Sequence, residues 1–275
     1  MLRLKKALSK IKFCIGITRD INSFFKLLWN TKRFKWGLKS HNAIERYKNI
    51  VKIYKLTFKE KKLRVFLRTF TGDIAIFYEV FQNTVYELPD KCYKNAKTIV
   101  DLGANIGLAT LYFHHQCPNV IIYSVEPEKS NFEILLKNLK SGTSNQNIIP
   151  LCAAIDSEDG EASIQCNGLL YNASIIKLNK NMPVVKTISM KTFFEKFNIE
   201  SIDILKVDIE GTEKRLFEGD TDWLEKVRYL LIEFHSEIIK AFCIKVLTSK
   251  NFEIHLMKSE SENNHVYRAA RNNTK

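Results

Sequence analysis

Residues 98–127 read TIVDLGANIGLATLYFHHQCPNVIIYSVEP, and this stretch decides the fold. The apolar run Thr98–Leu102 is followed by a glycine-containing turn, a helical pattern over Leu108–His115 and a second apolar run at Val120–Val125. Two short apolar runs joined by a helix predict two parallel strands, because parallel pairing requires a crossover connection. Ligands of such sheets bind at the carboxyl ends of the strands, so the residues just after each run are candidate site residues.

The same alternation continues toward the C-terminus. Further strands are predicted at 147–155, 202–207 and 227–234, and the intervening helices at 130–139, 193–197, 211–219 and 237–249. Strands and helices that alternate in this way predict an α/β domain of Rossmann type, in which a mostly parallel sheet carries helices on both faces.

The residues before this domain follow different patterns. Apolar residues three or four positions apart predict two helices within 1–35. From 51 to 86 the period changes to two, which predicts a small antiparallel β element that includes Ile74–Phe77 as a strand after the turn at 71–73.

Charge is distributed unevenly along the chain. The formal net charge is +13, but residues 1–70 alone hold 20 Lys and Arg against three acids, whereas residues 71–275 sum to −4. This basic segment predicts an anionic partner: a membrane surface, a lipid-linked phosphate or nucleic acid. The apolar positions of the two helices, with Trp29 among them, fit an interfacial helix and equally fit a helix docked on its own domain.

Several classes of protein are disfavoured. The sequence has no uncharged apolar run long enough for a transmembrane helix, and its first 20 residues lack the separate apolar stretch of a secretory signal. Its six cysteines form no C-x-x-C pair, so we expect reduced, buried thiols rather than a zinc site or disulfides. We therefore expect a cytoplasmic protein, with peripheral contact to the inner membrane surface through residues 1–40 as a further expectation.

The turn after the first strand predicts a nucleotide-like cofactor. Residues 103–107 approach the dinucleotide fingerprint G-x-G-x-x-G, but Asn105 stands where the second glycine lets the backbone approach a pyrophosphate. The second strand ends in Glu126, at the spacing expected of a carboxylate that binds a ribose diol. A nucleoside cofactor without pyrophosphate fits both features, and S-adenosylmethionine is such a molecule.

Charged residues mark the ends of the fourth and fifth predicted strands. Lys206, Asp208 and Glu210 alternate along the fourth strand, and Glu233 and His235 along the fifth. Charged side chains at the ends of buried strands cost free energy unless they serve a purpose. We therefore expect these residues to meet at one rim of the sheet and to form a site.

Five segments together resemble the successive motifs of the FkbM family of methyltransferases: TIVDLGANIG at 98–107, YSVEP at 123–127, NIIPLCAAID at 147–156, ILKVDIEGTE at 204–213 and LLIEFH at 230–235. GDIAIFYEVFQNTVYELP at 72–89 is similar to the family's lead-in, and the resemblance covers about residues 57–257. It implies a class I S-adenosylmethionine-dependent fold and methylation of oxygen, commonly on a sugar or polyketide hydroxyl. We divide the chain into a basic N-terminal segment, 1–50, and a methyltransferase domain, 51–275, with a β lead-in at 51–90 and a cofactor-binding core at 97–257.

Methyl transfer requires alignment of the acceptor hydroxyl and removal of its proton. We expect His235, oriented by Glu233, to be the general base, with Asp208 as the second candidate and as a cofactor ligand. Lys206 and Glu210 are expected to position acceptor hydroxyls. A divalent metal held by Asp208, Glu210 and His235 is the less favoured variant, because Lys206 would bring positive charge into the same corner.

The predicted cofactor contacts all lie at the carboxyl ends of the predicted strands. They are Asp101, Gly103, Ala104, Asn105, Gly107, Glu126, Ala153 and Asp208.

Three alternatives remain open. An NAD-dependent oxidoreductase is disfavoured by Asn105. A non-enzymatic protein that binds membranes or nucleic acid would use the basic segment, but the acidic strand ends oppose a phosphate-backbone site in the body. An RNA methyltransferase would also suit the basic segment, although no Asn-Pro-Pro-Tyr type motif follows the fourth strand. A glycan or other small acceptor therefore ranks first, and nucleic acid is the less favoured partner.

Overall fold

The computed structural model describes residues 2–37, 50–143, 147–166, 173–179, 181–257 and 266–271. Two helices open the chain, α1 (Leu2–Ile17) and α2 (Ile21–Gly37), as the apolar spacing predicted. A hairpin follows, in which β1 (Val51–Phe58) pairs antiparallel with β2 (Lys61–Arg68).

The predicted strand at Ile74–Phe77 is wrong, because these residues lie in helix α3 (Asp73–Phe81). The helix is buried on most of its circumference, and a short run that is apolar on all sides has no periodicity to separate helix from strand. Its start is fixed by Gly72 (φ 99°) and by Asp73, whose buried carboxylate accepts hydrogen bonds from the backbone and side chain of Arg68.

The remaining elements form an α/β domain. In chain order they begin with α4 (Asp90–Tyr93), β3 (Thr98–Leu102), α5 (Leu108–Gln116), β4 (Ile121–Val125), α6 (Lys129–Gly142), β5 (Ile148–Leu151), β6 (Ala154–Asp156), β7 (Gly160–Cys166), β8 (Ala173–Ile176), β9 (Val184–Ser189) and α7 (Met190–Phe197). They continue with β10 (Ile202–Val207), α8 (Glu213–Glu218), a 3₁₀ turn (Asp222–Lys226), β11 (Val227–Glu233), α9 (Glu237–Ser249), β12 (Phe252–Leu256) and β13 (Val266–Arg271).

Seven of these strands form the main sheet, in the order β12-β13-β11-β10-β3-β4-β5. The five strands from β11 to β5 are parallel, and β13 runs antiparallel between β11 and β12. Neighbouring residues of one strand belong to two separate cores: Ile204 packs with α5 and α6, whereas Leu205 packs with α7 and α9. Both faces of the sheet are therefore covered, and the predicted α/β fold class is confirmed.

The predicted single strand at 147–155 is divided in two. β5 ends at Leu151, and after Cys152 and Ala153 the chain leaves the main sheet and enters β6 of a separate four-stranded sheet with the order β6-β9-β7-β8. Both halves are apolar, so the composition of the run gives no sign of the break. The break places Ala153 beside the ends of the parallel strands.

One face of the N-terminal helices packs on the domain. Cys14, Ile17 and Leu27 are at most 5% exposed and belong to the same core as the hairpin and α3. Asn30 Nδ2 donates to the hydroxyl of Tyr54 in β1 (2.6 Å). The docked alternative is therefore correct for this face of the helices.

Candidate active site

The turn between β3 and α5 adopts left-handed backbone conformations at three residues, with φ of 73° at Gly103, 51° at Asn105 and 82° at Gly107. A Cβ on Gly103 would lie 1.8 Å from the backbone oxygen of Asp208, so only glycine permits the turn to approach the end of β10 this closely. Asparagine tolerates the left-handed region better than most residues, which explains how Asn105 replaces a glycine.

Two of the predicted site residues lie beneath this turn. Lys206 Nζ is 3.1 Å from Asp101 Oδ1 and donates to the carbonyl oxygen of Gly103 (2.7 Å), while Thr110 Oγ1 donates to Asp101 Oδ2 (2.7 Å). The side chains of Lys206 and Asp101 are 2% and 0% exposed. Both side chains thus hold the turn, while the predicted contacts of Asp101 with the cofactor and of Lys206 with the acceptor stay predictions.

Glu126, at the end of β4, faces the turn from the other side. Its carboxylate accepts hydrogen bonds from the backbone N–H groups of Asn105 (2.8 Å) and Glu128 (2.9 Å) and from Asn131 Nδ2 (3.3 Å). Burial outweighs these bonds and raises the pKa of Glu126 to about 7. Oε1 accepts two of these bonds and Oε2 one, so Oε2 can still accept a hydrogen bond from a ligand.

A polar network that the sequence did not reveal connects Glu126 to the β lead-in. Arg68 Nη2 donates to Asn131 Oδ1 (2.7 Å) and also pairs with Asp73 (3.0 Å). All three side chains are buried. The only signal in the sequence is two charged residues within an apolar segment, which does not identify their partners.

A cavity of about 300 Å³ opens above the turn, at the carboxyl ends of the parallel strands. It brings together most of the predicted site residues: Gly103, Ala104, Asn105, Glu126, Ala153, Lys206, Asp208, Glu210, Glu233 and His235. Asp101 and Gly107 do not line it. Gly107 instead is the N-cap residue of α5, and a Cβ there would meet the side chain of Leu135 at 3.2 Å.

One end of the cavity is rich in carboxylates. His235 Nε2 lies 3.3 Å from Glu210 Oε2 and 3.8 Å from Asp208 Oδ1. The hydroxyl of Tyr86, from the loop after α3, donates to Asp208 Oδ2 (3.0 Å). We call this group, Asp208, Glu210, Glu233 and His235, the acidic cluster.

The predicted orientation of His235 by Glu233 is wrong. The other ring nitrogen, Nδ1, lies 2.8 Å from Oε1 of Glu213, a carboxylate that is 0% exposed. Glu213 stands three residues after Glu210 in the same motif. Acidic residues are common in the first turn of a helix, so its position there did not indicate a contact with His235.

Burial and the neighbouring charges shift the pKa values of His235, Glu210 and Glu233. Burial alone would lower the pKa of His235, but the hydrogen bond to Glu213 and the charges of Asp208 and Glu210 raise it to about 9. Burial and the charge of Asp208 raise the pKa of Glu210 to about 7 and that of Glu233 to about 8. Such shifts are typical of functional sites, where carboxylates are crowded at the cost of their charged forms.

Two kinds of ligand fit these residues. Asp208, Glu210 and His235 offer ligand atoms within 4.8 Å of one another and could hold a divalent cation, although Lys206 Nζ lies 3.5 Å from Asp208 Oδ2. The cavity as a whole fits a nucleoside cofactor with a cationic end. The turn residues 103–106 line one wall of the cavity, Glu126 keeps an acceptor position for a ribose hydroxyl, and the carboxylates favour positive charge.

The parallel sheet with one reversed strand next to its edge, and the glycine turn facing an acidic strand end, define a class I S-adenosylmethionine-dependent methyltransferase. Within that class the chain belongs to the family described as "Methyltransferase FkbM domain", whose profile matches residues 101–264. The resemblance seen in the sequence is thus confirmed, and S-adenosylmethionine is the cofactor.

Three relatives are methyltransferases by name. The hexuronic acid methyltransferase AglP of Haloferax volcanii is 24% identical, over 60% of this chain and 67% of the relative. Methyltransferase sdnD of Sordaria araneosa is 25% identical, over 65% and 82%. The 31-O-demethyl-FK506 methyltransferase FkbM of Streptomyces tacrolimicus is 21% identical, over 60% and 75%.

Solved structures with a similar course of the chain include an O-methyltransferase from Bacillus cereus in complex with S-adenosylhomocysteine. It is 12% identical over 72% of this chain and 91% of its own, with a TM-score of 0.44.

Proposed function

We propose that the protein transfers a methyl group to a hydroxyl oxygen of a sugar, either in a free glycan or in a lipid-linked saccharide. The observation that carries this proposal is the acidic cluster at one end of the cofactor cavity. Carboxylates accept hydrogen bonds, and the hydroxyl groups of a sugar are donors with little charge of their own. A cavity lined in this way favours an uncharged acceptor with several hydroxyls.

The charge of the cavity also opposes other acceptors. Glu79 also lines the cavity, and burial together with the charge of Asp208 raises the pKa of Glu79. The positive charges near it, Lys206 and His235, are already paired with carboxylates. A phosphate backbone would therefore meet repulsion, which makes RNA a poorer acceptor than a neutral glycan.

The relatives give the proposal a chemical context. The name of AglP states that it methylates a hexuronic acid, and that of the FkbM relative states a methyl group carried on oxygen of FK506. In this chain the acidic cluster favours a sugar that has no carboxylate next to the reacting hydroxyl.

S-adenosylmethionine, when bound, supplies an electrophilic methyl group, so the protein itself must align the acceptor and take up its proton. His235 Nε2 lies beside Asp208 and Glu210, and we assign to it the uptake of the acceptor hydroxyl's proton when the ring is neutral. Glu213 is the positioning residue, because it holds the other ring nitrogen. Asp208 is the second candidate for the base, and Glu210 and Glu233 are assigned to the acceptor hydroxyls.

The test is incubation of the purified protein with methyl-labelled S-adenosylmethionine and matched acceptors. The panel contains neutral sugars, the corresponding uronic acids, free and lipid-linked glycans, and RNA. We expect label in a methyl ether of a neutral saccharide, identified by mass spectrometry, and loss of that label in Asp208→Asn. Label on RNA, on nitrogen, or preferentially on uronic acids would overturn the proposal.

A further inference from the structure

The N-terminal helices expose an apolar face that the described part of the domain leaves uncovered. In α1, the side chains of Leu8, Ile11 and Ile15 are 57%, 39% and 64% exposed. Their spacing of three and four residues places them on one side of the helix. Cys14 and Ile17, on another side of the same helix, are buried in the core.

Helix α2 repeats this arrangement with larger side chains. Ile21, Phe25, Trp29 and Trp36 are between 55% and 74% exposed, and their spacing places them on one side of the helix. The rings of Trp29 and Trp36 meet edge to face, with centroids 6.1 Å apart. Among the large apolar side chains that are exposed in the described part of the chain, all the aromatic ones lie on this helix.

The helices that carry this apolar face are strongly basic. Residues 2–37 hold ten Lys and Arg but only one acid, Asp20. Lys12 follows the exposed Ile11, and Lys26 and Lys32 lie on either side of Trp29 along the sequence. A helix with exposed aromatic and aliphatic residues beside basic ones is suited to the interface of an anionic bilayer, where rings enter the headgroup region and ammonium groups meet lipid phosphates.

We propose that helices α1 and α2 form a docking surface for an anionic lipid bilayer, and that this surface holds the enzyme at the membrane. The surface consists of Leu8, Ile11 and Ile15 of α1 and of Ile21, Phe25, Trp29 and Trp36 of α2, together with the adjacent lysines. Charge complementarity selects a bilayer over a second copy of the chain, because two copies would bring two strongly basic surfaces together. Along the described residues, no helix is long and apolar enough to cross a membrane.

Tryptophan fluorescence gives a direct test. The chain has three tryptophans, and the third, Trp223, is buried in the domain. In a Trp223→Phe protein the emission therefore comes from α2 alone. We expect a blue shift when vesicles containing phosphatidylglycerol are added, little change with phosphatidylcholine vesicles, and reversal of the shift at high salt.

Co-sedimentation with the same vesicles distinguishes binding through α1 and α2 from non-specific binding through other exposed residues. The double substitution Lys26→Glu/Lys32→Glu should weaken binding by at least about tenfold, since basic residues near an anionic surface each contribute. The substitution Trp29→Ser should also weaken it. The matched controls are Lys245→Glu and Ile238→Ser on α9, which alter an exposed lysine and an apolar residue that is 79% exposed, and both should bind like the wild type.

Several results would overturn the proposal. They are equal binding to neutral and anionic vesicles, wild-type binding by the helix variants, equal losses in the controls, and an unshifted emission. Sedimentation velocity without lipid tests the other occupant: a dimer that dissociates in Trp29→Ser would show that a second copy covers this surface. None of these measurements depends on methyl transfer, so their failure is distinguishable from failure of the proposed function.

Discussion

At the scale of single residues, the pKa values of three carboxyl groups in the site, Glu126, Glu210 and Glu233, are raised. Glu126 and the members of the acidic cluster are predicted from their positions at the strand ends, and the structure brings them around one cavity. Their pairings were not identified, because Glu213 and Tyr86 approach from elements whose packing the sequence does not specify. Position along a strand predicts which rim a residue reaches, whereas a hydrogen-bond partner depends on tertiary distance.

Cofactor affinity should depend on pH through Glu126. Its pKa of about 7 means that acid protonates the carboxyl in the free protein, whereas hydroxyl donors of a ribose favour the charged form. Affinity for S-adenosylhomocysteine should therefore fall as the pH drops below 7 and level off above it. Glu126→Gln should weaken binding at pH 8 by about 1–3 kcal/mol and remove this part of the pH dependence. Calorimetry from pH 5.5 to 8.5 measures both, and an unchanged slope in the variant would contradict the assignment.

Turnover should depend on pH through His235. A base must be neutral, so with a pKa of about 9 the value of kcat/KM should rise with pH up to that value. Glu213→Gln removes the negative charge beside the His235 ring, so it should lower the pKa of His235. The rise of kcat/KM with pH should then occur at lower pH. His235→Ala should reduce turnover by about 10²–10⁴-fold with cofactor affinity nearly intact. Near-normal turnover in His235→Ala would assign the role of base to Asp208. An unchanged pH dependence of kcat/KM in Glu213→Gln would do the same.

At the scale of secondary-structure elements, the sequence predicted the repeating part of the fold and missed its irregular parts. The parallel strands of the main sheet and the helices between them were predicted, because buried parallel strands are continuous apolar runs separated by amphipathic helices. The strands β7, β8 and β9 of the second sheet were not predicted. Helix α3 was mistaken for a strand because it is apolar on most sides, and the break after Leu151 was missed because both halves are apolar. Both errors arise where tertiary packing, rather than periodicity, determines the element.

The contact between the turn after β3 and the end of β10 gives a prediction at this scale. Gly103→Ala should abolish binding of S-adenosylhomocysteine or unfold the domain, because the new Cβ would collide with the backbone oxygen of Asp208. Gly211→Ala is the matched control: Gly211 also has a positive φ (90°), but its Cβ would meet no atom within 4 Å. The control should therefore show only the backbone cost, about 1–2 kcal/mol in chemical denaturation. If both variants lost the same amount of cofactor affinity and stability, the close approach of Gly103 to the backbone of Asp208 would not matter for the site.

At the scale of the whole molecule, the basic segment is both part of the core and a surface. We predicted it as a unit separate from the methyltransferase domain, with boundaries at 1–50, and residues 38–49 lie outside the described chain. The helices nevertheless bury Cys14, Ile17 and Leu27 in the core that also holds the hairpin and α3. Because α3 contributes Ile76 and Val80 to the cavity wall, the N-terminal helices support one side of the active site.

This dual character predicts that two substitutions on one helix will have opposite consequences. Leu27 is 0% exposed, so Leu27→Ala should lower the free energy of unfolding by about 2–5 kcal/mol, as large-to-small core substitutions do. Phe25 is 60% exposed, so Phe25→Ser should leave unfolding nearly unchanged while it weakens binding to anionic vesicles. Urea denaturation followed by circular dichroism measures the first effect, and vesicle co-sedimentation measures the second.

Removal of residues 1–37 should lower both the free energy of unfolding and the binding to anionic vesicles. It should also weaken binding of S-adenosylhomocysteine, because α3 would lose its support. A truncated protein with wild-type stability and cofactor affinity would contradict this, because it would show that α3 and the cavity wall keep their structure without the N-terminal helices.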